Sequence, residues 1–349
     1  HETLKRLVIN NPQHQFHFFF DRKFDSSFIY ADNVIPHVIY PPARHPFLWY
    51  IWFEWSLYFK LKNIKPDVFL SPDGYLCLKS NIKQIPVIHD LAFEHYPKDI
   101  PKLVAGYYKY FFPKFAKKAI HIFTVSEFSK KDLIQTYNLD SEKITVVGNA
   151  YPAREINADY SILEKLTEQK PYFFYLGAIH PRKNIMRLIK AFELFKKNKS
   201  SDYKLILAGR IAWMSDALNT YVQNSEFSKD IVFAGKITDE QACAFYRNAR
   251  ALTYIPYFEG FGLPLLEAYN QNCPAISSIS SSLPEVAGNA ALLVNPIDIE
   301  SIALALNDLA FDDDLRAHLI NQIPEQLNKY SWEKTVAKME EIIFSELPQ

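Results

Sequence analysis

Short apolar runs alternate with helical patterns along the whole chain, which predicts a parallel α/β architecture. In the first half the runs fall at 16–20, 68–70, 86–89, 120–125 and 144–147. Between the last two, Ser126-Glu-Phe-Ser-Lys-Lys-Asp-Leu-Ile opens with a Ser cap and an acid in the first turn, the start of a helix. Residues 149–158 hold a Pro and no clear periodicity, a polar, helix-prone stretch follows to 170, and this region is the candidate linker. A fresh series then follows at 172–176, 204–208, 231–234, 251–255, 275–277 and 291–294. Helices are predicted over 184–197, over 239–247 behind a Thr238 cap, and over 264–270. A last amphipathic helix spans 330–344. The pattern repeats one α/β series twice.

Length agrees with that doubling. The 349 residues are about twice a typical domain, so two domains can each bury a core. Aromatic residues make up 15% of the chain, which an aromatic-rich core explains as well as a ligand does. Lys plus Arg and Asp plus Glu both number 39, and this neutral sum gives no support to nucleic-acid binding. Cys77, Cys243 and Cys273 are far apart and odd in number, so neither a disulfide framework nor a zinc site is indicated. A reducing, cytoplasmic compartment fits them. The most apolar stretch, 47–59, is shorter than a membrane span and contains Glu54. It reads first as an amphipathic helix buried against a sheet, and second as a helix lying on a membrane surface. No basic-then-apolar signal peptide opens the chain; His1-Glu-Thr-Leu-Lys-Arg-Leu reads as the middle of a helix.

Ligands of parallel sheets bind where strands end, so the segments just after strands carry the candidate chemistry. After the run at 251–255 comes Glu259-Gly-Phe-Gly-Leu-Pro-Leu-Leu-Glu267. Gly260 and Gly262 admit a ligand close to the backbone. Pro264 suits the first position of a helix, whose start can bind an anion. Glu259 and Glu267 can then face one ligand from adjacent levels. An ordinary Pro-capped helix with favourable acids fits the same residues. A second segment, Gly177-Ala-Ile-His-Pro-Arg-Lys-Asn184, sets Arg182 and Lys183 before a helix, against its dipole. A pyrophosphate would account for them, and so would a solvated basic turn. Arg210 follows a third strand. In the first half, Val87-Ile-His-Asp90 leaves His89 and Asp90 at a strand end, where a packed histidine is the commoner outcome.

Taken in order, the Glu259 loop, the Arg182-Lys183-Asn184 turn, the His89-Asp90 strand end and Leu283-Pro-Glu-Val-Ala-Gly-Asn-Ala-Ala-Leu-Leu-Val294 resemble glycosyltransferase family 4. The resemblance spans nearly the whole chain and is closest to a mannosyltransferase-type, group 1 branch of polysaccharide assembly. Its most specific element is the pair of glutamates eight positions apart around Gly-Phe-Gly-Leu-Pro. It implies a GT-B fold, two Rossmann-like domains facing across a cleft. The expected divisions are an acceptor-side domain over 1–160, a nucleotide-sugar domain over 161–328, and a helix over 329–349 crossing back to the first domain. It also implies that the family's first strand and Gly-rich loop would lie ahead of His1.

By the same resemblance, Glu259 contacts the donor sugar and Glu267 the ribose. Gly177, Arg182, Gly260, Phe261, Gly262 and Leu263 border the diphosphate or sugar. Lys183 neutralises the leaving diphosphate, and His89 sits near the reacting carbon. Many members carry Arg where this chain has Ala178, so Arg182 or Arg210, with Arg210 favoured, is expected to supply the second positive charge. The implied activity is metal-independent, retaining hexosyl transfer to a saccharide or lipid-linked acceptor. The donor is a nucleotide sugar, GDP-mannose first and UDP-sugars next, with no further cofactor. Localisation is expected to be cytoplasmic, with peripheral contact at the inner membrane face through the N-terminal domain. Two rivals stand beside it: a sugar-nucleotide epimerase of the same fold, and a donor-binding scaffold without turnover.

Overall fold

The computed structural model describes residues 1–151, 157–210 and 215–347. It divides into two compact units, His1–Asn149 with Trp332–Gln349, and Ala150–Ser331. These divisions fall at 149/150 and 331/332, against the 160/161 and 328/329 expected from the sequence. The candidate linker, 149–170, lies partly outside the described residues.

Unit 1 is built from parallel strand pairs. Strand β1 (Phe16–Phe20) pairs with β2 (Val34–Val38), β3 (Val68–Ser71) with β4 (Lys83–Pro86), and β5 (Ile122–Thr124) with β6 (Ile144–Val146). An isolated bridge between Val87 and Phe123 links the last two pairs. β2 escaped the sequence reading because Pro36 interrupts its alternation; a proline is tolerated in a strand at the sheet edge. The strand expected at 86–89 instead occupies 83–86, with Val87 as a single bridge beyond it.

Helix Trp332–Ser345 belongs to unit 1. Val336, Met339 and Ile343 bury their side chains among Leu7, Ile85, Val87, Phe123 and Val147. The Thr335 hydroxyl donates to the Val147 carbonyl at 3.0 Å. Three apolar positions spaced for one helical face thus place this helix on the first unit's core.

The apolar stretch at 47–59 is helical, as helix Pro46–Ile51, a π-helical turn Trp52–Leu57 and helix Tyr58–Ile64. Its inner face buries Trp52, Leu57 and Leu61 against Ile39 and Cys77. Glu54 is buried too, and its carboxylate accepts from the backbone N–H groups of Leu78 (2.7 Å) and Lys79 (3.1 Å). Backbone donors are what make a buried carboxylate tolerable. Among the described residues no helix is long and apolar enough to cross a membrane.

Unit 2 holds one parallel sheet. Its strands are β7 (Tyr172–Leu176), β8 (Lys204–Ala208), β9 (Ile231–Gly235), β10 (Ala251–Tyr254), β11 (Ala275–Ser278) and β12 (Ala291–Val294), in the order β12-β11-β10-β7-β8-β9. Successive residues of a strand face opposite ways, and β7 shows it. Phe173 meets Phe195 of helix Ile185–Asn198 at 5.9 Å, while Phe174 stacks on Phe245 of helix Asp239–Asn248 at 5.2 Å. Helices therefore cover both faces, which is why the strand reads as a continuous apolar run. The Asp239 helix carries the expected Thr238 cap, completed as a capping box by Gln241. All three cysteines are free and buried, and burial pushes the Cys273 thiol up to about 12.

Strand order fixes where chemistry collects. β7 and β10 are neighbours, yet the chain proceeds outward from β7 through β8 and β9, and from β10 through β11 and β12. The direction of winding reverses between them, and such a switch point leaves a crevice beyond the strands' carboxyl ends.

Candidate active site

Both sequence-predicted loops open at that switch point. The first follows β7, turns at Gly177 and ends in a single 3₁₀ turn, Pro181–Lys183. The second follows β10 and runs from Ile255 to Gly262, where helix Leu263–Tyr269 begins. They are joined directly: the Tyr257 N–H donates to the Arg182 carbonyl at 3.2 Å.

Three charged side chains converge there. Lys183 Nζ lies 2.5 Å from Glu259 Oε1 and 2.7 Å from the Tyr254 hydroxyl. Arg182 Nη1 lies 3.4 Å from the same Glu259 oxygen and donates to the Phe258 carbonyl at 3.1 Å. Glu259 is buried, so its attraction to the two cations is weakly screened by water. Burial also raises the Tyr254 hydroxyl well above its usual range, with the Glu259 charge adding to it. Tyr254 therefore stays a neutral partner for the ammonium.

Serines and an asparagine hold the loop frames. Glu259 N–H donates to Ser281 Oγ at 3.0 Å, and Ser282 Oγ lies 2.9 Å from both the Glu259 and Phe261 carbonyls. Ser281 itself adopts a left-handed backbone, φ 56°, a sparsely used conformation that the surrounding bonds enforce. Asn184 is left-handed as well, φ 63°, and buried. Its amide donates to the carbonyls of Ile255 (3.1 Å) and Pro296 (2.6 Å), and its oxygen accepts from Arg187 at 3.0 Å. Every hydrogen-bonding valence of the NH₂ group is thereby used.

The acidic loop enters its helix differently from expectation. Leu263, and not Pro264, is the first helical residue, after a left-handed Gly262 with φ 114°. Pro264 lacks an N–H, and the Leu265 N–H bonds the Gly262 carbonyl at 3.0 Å. The first turn holds fewer outward backbone donors than the sequence reading assigned it. A side chain at Gly262 would strike Leu283 at 2.8 Å. Glu267 stands one turn further along and accepts from the Tyr246 hydroxyl at 3.0 Å. Burial raises its carboxyl above the ordinary range, partly offset by that bond.

Under the first loop, the ends of β7 and β8 touch backbone to backbone. Gly177 N–H bonds the Ala208 carbonyl at 3.0 Å, Gly209 N–H bonds Gly235 at 2.7 Å, and Ile179 N–H bonds Arg210 at 2.9 Å. Gly209, at φ 137°, has the Gly177 oxygen only 1.9 Å from where a Cβ would stand. No other residue fits.

A family model described as glycosyl transferases group 1 matches residues 157–326, and one described as glycosyltransferase family 4 matches 7–154. An O-antigen chain mannosyltransferase B from Escherichia coli is 30% identical over 278 residues, 78% of this chain and 73% of that protein. The chain belongs to the group 1 glycosyl transferases.

Another relative of this glycosyltransferase is the O-antigen chain mannosyltransferase RfbU of Salmonella typhimurium, 29% identical over 307 residues, 86% of this chain and 80% of that one. Among solved structures, a glycosyltransferase from Rickettsia africae matches with a TM-score of 0.74 at 18% identity, covering 99% of this chain and 94% of its own. WaaG, a glycosyltransferase involved in lipopolysaccharide biosynthesis, matches at 0.74 with 14% identity, covering 98% and 95%. These likenesses show the GT-B fold.

The glycosyltransferase brings Arg182, Lys183 and Glu259 together, with Gly260, Phe261, Gly262 and Leu263 on the same loop and Glu267 on the helix that follows. Gly177 bonds Ala208 through the backbone, as Ile179 bonds Arg210, and the Arg210 side chain is exposed. Of the two arginines expected to supply the second positive charge, Arg182 is the one within reach of Glu259. His89 belongs to unit 1, where its Nε2 lies 2.9 Å from the Pro72 carbonyl and its own carbonyl accepts from Ser129 Oγ at 3.0 Å. Asp90 accepts from the Ala92 N–H at 2.9 Å, closing a turn ahead of the short helix Ala92–His95. Tyr254, Ser281, Ser282 and Tyr246 were missed by the sequence reading. Tyr254 ends a strand and the serines follow one directly, so position alone could have marked them.

Proposed function

We propose that this glycosyltransferase moves a hexose, mannose favoured, from a nucleoside-diphosphate sugar to a saccharide or lipid-linked acceptor, with retention and without a metal ion. The observation that carries the reading is the convergence of Lys183 and Arg182 on the buried Glu259 at the switch point. Transfer builds negative charge on the departing diphosphate and positive charge on the anomeric carbon. An ammonium and a guanidinium fixed side by side suit the first, because preorganised charges need no rearrangement as the bond breaks. Glu259, held by both, presents its second oxygen toward sugar hydroxyls, and Glu267 serves the ribose. Gly177, Gly260, Phe261, Gly262 and Leu263 border the donor. His89 is assigned to the sugar side, and Arg210 to the diphosphate.

GDP-mannose is the first donor to test, because the two relatives described are named as mannosyltransferases; UDP-sugars come next. Those names support a role in cell-surface polysaccharide assembly, which we propose takes place on the cytoplasmic side of the membrane. The test is donor consumption with and without an added glycan acceptor, read as nucleotide release and by NMR of the new linkage, in EDTA. An axial-to-axial outcome with GDP-mannose supports retention. Conversion of the donor without any acceptor overturns transfer in favour of epimerisation.

A further inference from the structure

We propose that Tyr330 is a positioning residue for Glu259, bracing the acidic loop from the last residues of unit 2. This role rests on the assignment of Glu259 to the donor sugar and adds a residue that touches no substrate. The Tyr330 ring meets the buried Phe261 edge to face, with 5.3 Å between centroids and 89° between planes. Such a contact favours one mutual orientation of the rings as well as one separation. Phe261 stands between Gly260 and Gly262, whose backbones are open to many conformations. A side-chain anchor at Phe261 is therefore what narrows the loop to a single frame.

A second route joins Tyr330 to the same loop. Helix Leu283–Ala287 is five residues long, so its last carbonyls need partners from outside it. The Glu285 carbonyl accepts from the Tyr330 hydroxyl at 3.1 Å and from the Gln326 amide at 2.8 Å, and that amide also reaches the Val286 carbonyl at 2.9 Å. At the other end of the helix, Ser282 Oγ lies 2.9 Å from the Glu259 and Phe261 carbonyls, and Leu283 packs on Gly262. Tyr330 thus reaches the frame of Glu259 directly through Phe261, and again through this short helix.

The ring carries the effect, and the hydroxyl adds little. Without the Tyr330 hydroxyl the Glu285 carbonyl still has its bond from Gln326, so no buried acceptor is orphaned. Nothing in unit 2 replaces the ring on Phe261 with the same contact. Tyr330 also has a place in the chain that suits a brace. The hydrophobic pattern counts it into the last helix, but its N–H bonds the Leu327 carbonyl at 3.0 Å and closes the turn after helix Asp313–Leu327. Two residues later, at Trp332, the chain enters unit 1. The loop that presents Glu259 is therefore keyed to the point where the chain leaves unit 2.

The experiment compares Tyr330→Leu and Tyr330→Phe by hydrogen–deuterium exchange without substrate, and by steady-state transfer from GDP-mannose. In Tyr330→Leu, amide exchange over 258–263 should quicken at least about fivefold, while 204–208 in the same unit keeps the parental rate. Tyr330→Phe should match the parent in both segments. In transfer, Tyr330→Leu should raise donor KM several-fold and leave acceptor KM unchanged, and Tyr330→Phe should restore the parental value. Parental exchange over 258–263 in Tyr330→Leu overturns the proposal, as does equal quickening in the two variants. Quickening over 204–208 as well marks a general loss of stability and overturns it too, and so does a donor KM that stays parental. Exchange needs no substrate, so absence of transfer in the parent would strike the assigned reaction while the brace is still decided by the exchange rates.

Discussion

Lys183 and Glu259, 76 positions apart in the chain, share a contact of 2.5 Å inside the second unit. Their loops belong to different strands, and the pairing exists because β7 and β10 are neighbours in the sheet. Replacing Lys183 by Ala should cut kcat/KM at least about a hundredfold, the usual loss when one charge-stabilising donor is removed. Glu259→Ala should do the same. The double variant should be little worse than either, since the two act as one group. Steady-state rates of nucleotide release check it; near-parental rates in either single variant would remove both residues from the site.

Tyr254→Phe keeps the buried ring and deletes the oxygen that Lys183 contacts at 2.7 Å. About 1 kcal/mol of hydrogen bonding is lost, and the ammonium gains freedom to leave its place. The expected result is a several-fold drop in kcat with donor KM little changed. A change in thermal midpoint alone, with kcat intact, would mean that Tyr254 only supports the fold.

Gly209→Ala drives a methyl into the Gly177 carbonyl and demands a backbone angle that alanine resists. Strain of this kind costs about 1–3 kcal/mol. Urea unfolding should show a lower midpoint with the slope unchanged, and calorimetry should show weaker donor binding. The control is Gly148→Ala, where a Cβ meets nothing within 4 Å although φ is also positive.

Glu267 supplies a pH-dependent test. Its carboxyl is raised in the folded chain, mainly by burial, so the native state binds a proton more readily than the unfolded one. Stability from this group is present at pH below the ordinary carboxylate range and is lost as pH rises through the folded value. Glu267→Gln removes that loss while keeping an oxygen for Tyr246. Its thermal midpoint should equal the parent's in acid and exceed it near neutrality, with donor affinity reduced. A constant offset across pH would exclude the assignment.

Much of the site was legible because its chemistry lies just past strand ends. The runs at 172–176 and 204–208 reproduce β7 and β8 as observed, and both loops could be placed from them. Continuous apolar runs survive in single-sequence reading because both faces of this sheet are covered. What the sequence hid was pairing across distance. Nothing local tells Lys183 to meet Tyr254, or Ser282 to hold two carbonyls of another loop. Local chemistry also misled once: Pro264 marked a helix start correctly, but the left-handed Gly262 shifted the first helical residue to Leu263. In the first unit, strands three to five residues long and a proline in β2 diluted the periodic signal.

Asn184 ties together the segments after three strands, β7 by its own backbone, β10 through Ile255 and β12 through Pro296. For engineering, these segments form a single cassette. Grafting a foreign 255–262 segment alone would shift one of the two carbonyls that the buried amide bonds, whereas transplanting it with 177–184 and 295–297 carries the connection along. New donor preferences are therefore best sought by exchanging the three pieces together, or by side-chain changes that leave Asn184 in place.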